Sequence, residues 1–128
     1  MLTLEEFINY ALNSTTLENS FEIEITKDAC QAIKKHTNLN ICQYRFIIKE
    51  EYVRHVKNGH KEDLHLLPKL PEILNNFSHV EKSITRNRRG QTDVSLVFRK
   101  KFDDGIVRMV ALRVIEEKVL SLKTFFRP

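Results

Sequence analysis

Thr92-Asp93-Val94-Ser95-Leu96-Val97-Phe98-Arg99-Lys100-Lys101-Phe102-Asp103-Asp104-Gly105-Ile106-Val107-Arg108-Met109-Val110-Ala111-Leu112-Arg113-Val114-Ile115 is the stretch on which the fold turns. Apolar residues recur with period two on both sides of Asp104-Gly105, as in a half-buried strand. Asp-Gly is a strong hairpin signal, because a type I′ turn needs positive φ at both central residues. The stretch predicts a hairpin of strands 92–102 and 106–115. With Asp104 and Gly105 as the central turn residues, Asp103 faces Ile106. That register puts Val94, Leu96, Phe98, Lys100 and Phe102 on one face with Val107, Met109, Ala111, Arg113 and Ile115.

Two further strands flank the hairpin. Residues 79–86 and 119–126 keep the same period, joined through Asn87-Arg88-Arg89-Gly90 and Glu116-Glu117-Lys118. Hydrophobic sorting brings Val80, Ile84, Leu120, Leu122 and Phe126 to the apolar face, which the helices should cover. Lys82, Lys100, Arg113 and Thr124 interrupt that face. Burying an unpaired charge is costly, so these groups either reach the rim or line a cleft shared by water and ligand. The opposite face carries Arg99, Lys101, Arg108, Lys123 and Arg127 among Val97, Val110, Leu112 and Phe125. It reads as a solvated back or as a second phosphate-contacting surface. Arg86, Arg88 and Arg89 project from the first turn as a candidate backbone clamp.

Upstream the period changes. Residues 3–13 predict a helix with a Thr3/Glu6 capping box and an inner face of Leu4, Phe7, Ile8, Ala11 and Leu12. Residues 20–25 alternate as a short strand. Thr26 caps a helix through about His36. Tyr44, Phe46 and Ile48 mark a second short strand, and residues 49–58 a helix with Val53 and Val56 inward, stopped by Gly59. Pro71 opens a short helix with Ile73, Leu74 and Phe77. The fold class is α+β: N-terminal helices and short strands packed on a C-terminal four-stranded antiparallel meander.

The 128 residues, 41% apolar, suit one domain with one core. No apolar run is long enough to span a membrane, and the first residues lack the pattern of a cleaved secretion signal. Cys30 and Cys42 show no metal-ligand spacing, and they read as plain thiols in a reducing compartment. A cytoplasmic location follows, with export by a route without a cleaved signal left open. Charge is uneven. Residues 1–78 hold 9 Lys/Arg and 11 Asp/Glu, a net of −2, whereas residues 79–128 hold 12 and 6, a net of +6. The basic half should attract polyanions, although a solvated sheet face has the same composition.

The segment Arg54-His55-Val56-Lys57-Asn58-Gly59-His60 places His60 on the stripe of Val53 and Val56, at the helix end nearest the sheet. His55 turns away from that stripe. A histidine of ordinary pKa gives or takes protons near neutrality. A zinc reading of His55, His60 and His65 is weaker. Their five-residue spacing does not put two ligands on one helix face, and no H-E-x-x-H occurs.

The order of these pieces resembles the phage-associated nuclease families of the barnase–EndoU–colicin–RelE superfamily, over Tyr44 to Pro128. The carriers are the histidine-bearing helix after strand Tyr44-Arg45-Phe46-Ile47-Ile48, the Leu70-to-Phe77 stretch before the sheet, and the closing strand Leu120-Ser121-Leu122-Lys123-Thr124-Phe125-Phe126-Arg127. The resemblance implies a metal-independent, cofactor-free endoribonuclease of toxin type. By position it assigns catalysis to His60, with His55 as neighbouring candidate, Lys100 and Thr124, and Arg113 can add charge. Lys82, Arg86, Arg88, Arg89 and Arg99 would bind RNA, tRNA being one form, and a cognate immunity or antitoxin protein is an expected partner. Residues 44–128 would be the nuclease-like core and 1–43 an N-terminal addition. The alternative is a non-catalytic nucleic-acid-binding or protein-interaction module that keeps the fold.

Overall fold

The computed structural model describes residues 3–13, 19–59 and 61–127. In chain order these form α1 (Leu4–Asn13), β1 (Ser20–Ile23), α2 (Lys27–Thr37), β2 (Arg45–Lys49), α3 (Glu50–Gly59), a 3₁₀ segment (Lys61–Lys69), α4 (Leu70–Asn75), β3 (His79–Arg86), β4 (Thr92–Phe102), β5 (Gly105–Val114) and β6 (Val119–Phe126). The predicted caps hold. Thr3 and Glu6 exchange backbone-to-side-chain hydrogen bonds at 3.0 and 3.2 Å, and Thr26 accepts from the Ala29 N–H at 3.2 Å.

The sheet is six-stranded and mixed, in the order β1-β2-β6-β5-β4-β3. The four C-terminal strands form the expected antiparallel meander. The short strands do not merely pack on it. β1 pairs antiparallel with β2, and β2 pairs parallel with β6 at Arg45↔Val119, Phe46↔Leu120 and Ile47↔Ser121. Helices cover one face, and the core joins Phe7, Ile33, Phe46, Val53, Leu66, Leu74, Phe98, Leu120 and Leu122. Phe98 and Leu122 thus share the inner face, as expected. No helix among the described residues is long and apolar enough to cross a membrane.

Four expectations need correction. The central hairpin pairs Phe102 with Gly105 and Phe98 with Met109, not Asp103 with Ile106. Asp103 and Asp104 form its corner without positive φ, and the positive φ, 139°, falls on Gly105 as the first residue of β5. Each strand moves by one residue in opposite senses, so the same side chains stay on the same face.

The second correction lies on β6. The β5–β6 ladder pairs Ala111 with Leu122 but Val110 with Thr124, a bulge that leaves Lys123 as the extra residue. Phe125 therefore turns inward (1% exposed) where Phe126 was expected. Thr124 leaves the inner row.

Thirdly, the helices leave one end of the inner face open: Ile84 and Ile115 are 61% and 57% exposed. Lastly, Cys30 and Cys42 are not free thiols but a disulfide, with Cα atoms 5.4 Å apart. Asn38, in the left-handed conformation at the end of α2, starts the turn that brings Cys42 back to Cys30. Two cysteines twelve residues apart carry no sign of that turn in their spacing.

Candidate active site

β2 leaves β6 at the Ile47↔Ser121 pair and runs straight into α3. Beyond Ser121 no strand among the described residues pairs with the β2-side edge of β6, so its N–H groups need other acceptors. Tyr52 supplies one. Its hydroxyl accepts a 2.8 Å hydrogen bond from the Phe125 N–H, and the Thr124 side chain lies within hydrogen-bonding reach of the same hydroxyl. The Tyr52 ring also meets Phe125 at 6.1 Å and His55 at 6.2 Å between centroids. Burial pushes the Tyr52 hydroxyl up to about 12, against the pull of the Thr124 and Phe125 hydrogen bonds, and the nearby charge of Asp63 adds to the rise. Tyr52 is a neutral clamp at physiological pH, joining the histidine-bearing helix to the threonine-bearing bulge.

Two hollows flank the clamp. One, about 250 Å³, is lined by Lys49, Glu51, Tyr52, His55, Leu122 and Lys123. The other, about 410 Å³, is lined by Glu62, Asp63, His65, Phe126 and Arg127. Arg127 is tied to Asp104 across the sheet end at 2.6 Å, which holds the Asp104 carboxyl below its usual range. A larger hollow of about 860 Å³ lies beside β1, and among the described residues none of the predicted site residues lines it.

The predicted residues divide into three groups. His55 is exposed on α3 and packs its ring near Tyr52, and Thr124 meets the same tyrosine from the strand. His60 lies outside the described residues, between α3 and the 3₁₀ segment. Lys100, opposite Val107, sits half-buried on the inner face at the Asp103-Asp104 end. Arg113, opposite Leu120, lies near the other end of β5, six residues beyond Val107. At about 3.3 Å per residue that is ~20 Å from Lys100. The structure thus brings His55 and Thr124 to one tyrosine and does not bring Lys100 to Arg113. Lys82, Arg86, Arg88 and Arg89 are exposed on edge strand β3 and its turn, which Asn87 orders by accepting from the Arg89 and Gln91 N–H groups at 2.9 and 3.0 Å. Arg99 is on the outer face, paired with Glu81 at 2.5 Å.

Tyr52 escaped the sequence reading. Its signal was present: it precedes Val56 by four residues, on the flank of the Val53/Val56 stripe. A buried hydroxyl on such a flank requires a polar partner.

A six-stranded mixed sheet with a basic meander, and a histidine-bearing helix clamped to its last strand, define an α+β domain. Residues 24–127 match the family described as phage-Barnase-EndoU-ColicinE5/D-RelE like nuclease3, and the chain belongs to that nuclease family. The match begins at Glu24 and so takes in α2, upstream of the stretch that carried the resemblance. A nuclease family implies a nucleic-acid substrate. No curated protein and no solved structure matches the chain.

Proposed function

We propose that this domain is a metal-independent endoribonuclease of toxin type, cutting RNA by attack of its own 2′-hydroxyl. The observation that carries the reading is the Tyr52 clamp, which holds the histidine helix against Thr124 on the closing strand. RNA supplies the nucleophile, so the protein must only move two protons and stabilise charge on phosphorus. His60, with His55 as its neighbour on the clamped helix, takes the 2′ proton or returns one to the leaving 5′ oxygen, a step worth roughly 10²–10⁴-fold. Thr124 donates a hydrogen bond to a phosphate oxygen. Lys100 supplies positive charge from the hairpin end. The product is a 2′,3′-cyclic phosphate.

In this reading the chain works as one domain. Residues 44–128 carry the chemistry and 1–43 brace it, since Arg54 and Lys57 of α3 reach the Ala11 and Leu12 carbonyls of α1 at 3.4 Å. The substrate class includes tRNA, the action is cytoplasmic, and an immunity or antitoxin protein restrains it. Export without a cleaved signal is compatible with the Cys30–Cys42 bond, which persists in oxidising surroundings.

Incubation with labelled tRNA and total RNA in EDTA tests the reading. Cyclic-phosphate ends are expected, lost in His60→Ala and reduced in His55→Ala. Full cleavage by a folded His55→Ala/His60→Ala double variant would overturn it. Shifted but uncut RNA would favour the second reading, a nucleic-acid-binding module, which the wide separation of Lys100 and Arg113 already supports.

A further inference from the structure

The outer face of the meander carries a row that crosses all four strands: His79↔Arg99, Arg99↔Arg108 and Arg108↔Phe126. At about 4.8 Å per strand it is ~14 Å wide. Two arginines directly opposite each other repel. Glu81 relieves Arg99, whose hydrogen bond and charge hold the Glu81 carboxyl below its usual range. The Glu81 carboxylate also feels the charge of Arg108, but more weakly than that of Arg99 and without ion-pair contact. Among the described residues Arg108 has no ion pair, its Nε is buried without an acceptor, and its guanidinium lies 5.5 Å from the centre of the Phe126 ring. An unsatisfied buried donor in a native fold calls for an explanation. The core lies on the other face of the sheet, and among the described residues the helices pack on it there. Thr124 sits opposite Val110 in the adjacent row, two residues from Phe126.

We propose that this row is the track for single-stranded RNA, Arg99 and Arg108 holding a phosphodiester and Phe126 stacking a base. The proposal rests on the RNA-cutting reading for its direction, since the track delivers the strand to Thr124. A phosphate between the two guanidinium groups removes their repulsion and gives Arg108 the acceptor it lacks. The aromatic ring favours a single strand over a duplex, whose bases are already stacked on one another. Neither contact reads the 2′-hydroxyl, so the track binds single-stranded DNA as well, and discrimination between the two belongs to the chemistry.

Anisotropy of a labelled 2′-O-methyl oligonucleotide, which lacks the free nucleophile, measures this binding apart from cleavage. Phe126→Ala is expected to weaken binding about tenfold. Phe126→Leu should do likewise while keeping apolar bulk and fold. Arg99→Ala/Arg108→Ala should lower the salt slope by about 0.7, the contribution of the one phosphate contact that the two arginines share on a single strand. Lys34→Ala/Lys35→Ala removes the same charge from exposed positions on α2 and should leave the slope nearly unchanged. Equal slopes for the two double variants would overturn the track, as would unchanged affinity in folded Phe126→Leu or a duplex bound as tightly as a single strand. Tight, row-dependent binding without cleavage of unmodified RNA would sink the nuclease reading and leave the track standing.

Discussion

The β4–β5 and β5–β6 pairs are neighbouring antiparallel ladders that share β5, and they respond differently to reading by period. In β4–β5 the turn sits one residue earlier than Asp104-Gly105 suggests, yet every side chain keeps its expected face. In β5–β6 a single extra residue, Lys123, exchanges the faces of Phe125 and Phe126 and takes Thr124 out of the inner row. A register that moves by two preserves parity, whereas a bulge reverses it. The bulge also frames the candidate active site, because the clamp by Tyr52 falls on the residues that follow it.

The largest test of that contrast exchanges the two phenylalanines. Phe125 is buried in the core against Tyr52, so Phe125→Ala should cost about 3–5 kcal/mol in urea unfolding. Phe126 is half-buried on the outer face against Arg108, so Phe126→Ala should cost about 1 kcal/mol. The reverse order would mean that β6 runs without the bulge.

The disulfide tests the side of the molecule away from the bulge. It ties α2, which packs toward β3, to the segment entering β2. Closing a loop of this length should contribute about 3 kcal/mol through the unfolded chain. Reduction, or Cys30→Ser/Cys42→Ser, should lower the urea midpoint accordingly and loosen hydrogen-exchange protection of α2 before that of β6. Equal loss in both elements would show that α2 and the bulged edge unfold as one unit.

Much of the fold was legible in the chain. Local signals placed the helix caps and the four long strands, since a capping box or a period-two run needs only neighbours in sequence. The parallel contact of β2 with β6 joins residues more than seventy positions apart and leaves no local mark. The bulge at Lys123 has no glycine to announce it. The disulfide depends on the αL turn at Asn38. The candidate site was read through its histidines and Thr124, while Tyr52, which places Thr124 against the helix, was passed over because it lies beside the Val53/Val56 stripe and its hydroxyl meets its partner only in the folded chain.

Tyr52 offers a test specific to the bulged edge. Tyr52→Phe keeps the ring but removes the acceptor from the Phe125 N–H, and an unsatisfied buried donor costs about 1–3 kcal/mol. Titration gives an independent readout. The folded Tyr52 value, about 12, lies above the ordinary 10. Its contribution to stability is therefore fully present below pH 10 and is lost as pH rises through about 12. Tyrosinate absorbance should show an ionisation near pH 12, and Tyr52→Phe should remove that step. A folded protein whose absorbance lacks a step near pH 12, or keeps it in Tyr52→Phe, would break the clamp.

The smallest effect belongs to the regular ladder. Arg99 hydrogen-bonds Glu81 and holds its carboxyl below the ordinary value of 4.5. A depressed folded value means stability that is present above 4.5 and lost as pH falls through the folded value. The pair is solvent-screened, so Glu81→Gln should flatten the acid limb of a melting-temperature profile only slightly and leave neutral stability almost unchanged. Its effect on binding should be the clearer signal. Removing the carboxylate frees Arg99 and leaves Arg108 without the weaker pull of the same group, so the 2′-O-methyl oligonucleotide should bind more tightly and with a steeper salt dependence. A tighter complex with unchanged salt slope would show that Glu81 shapes the face without competing for its arginine, and the regular ladder would then owe its evenness to packing alone.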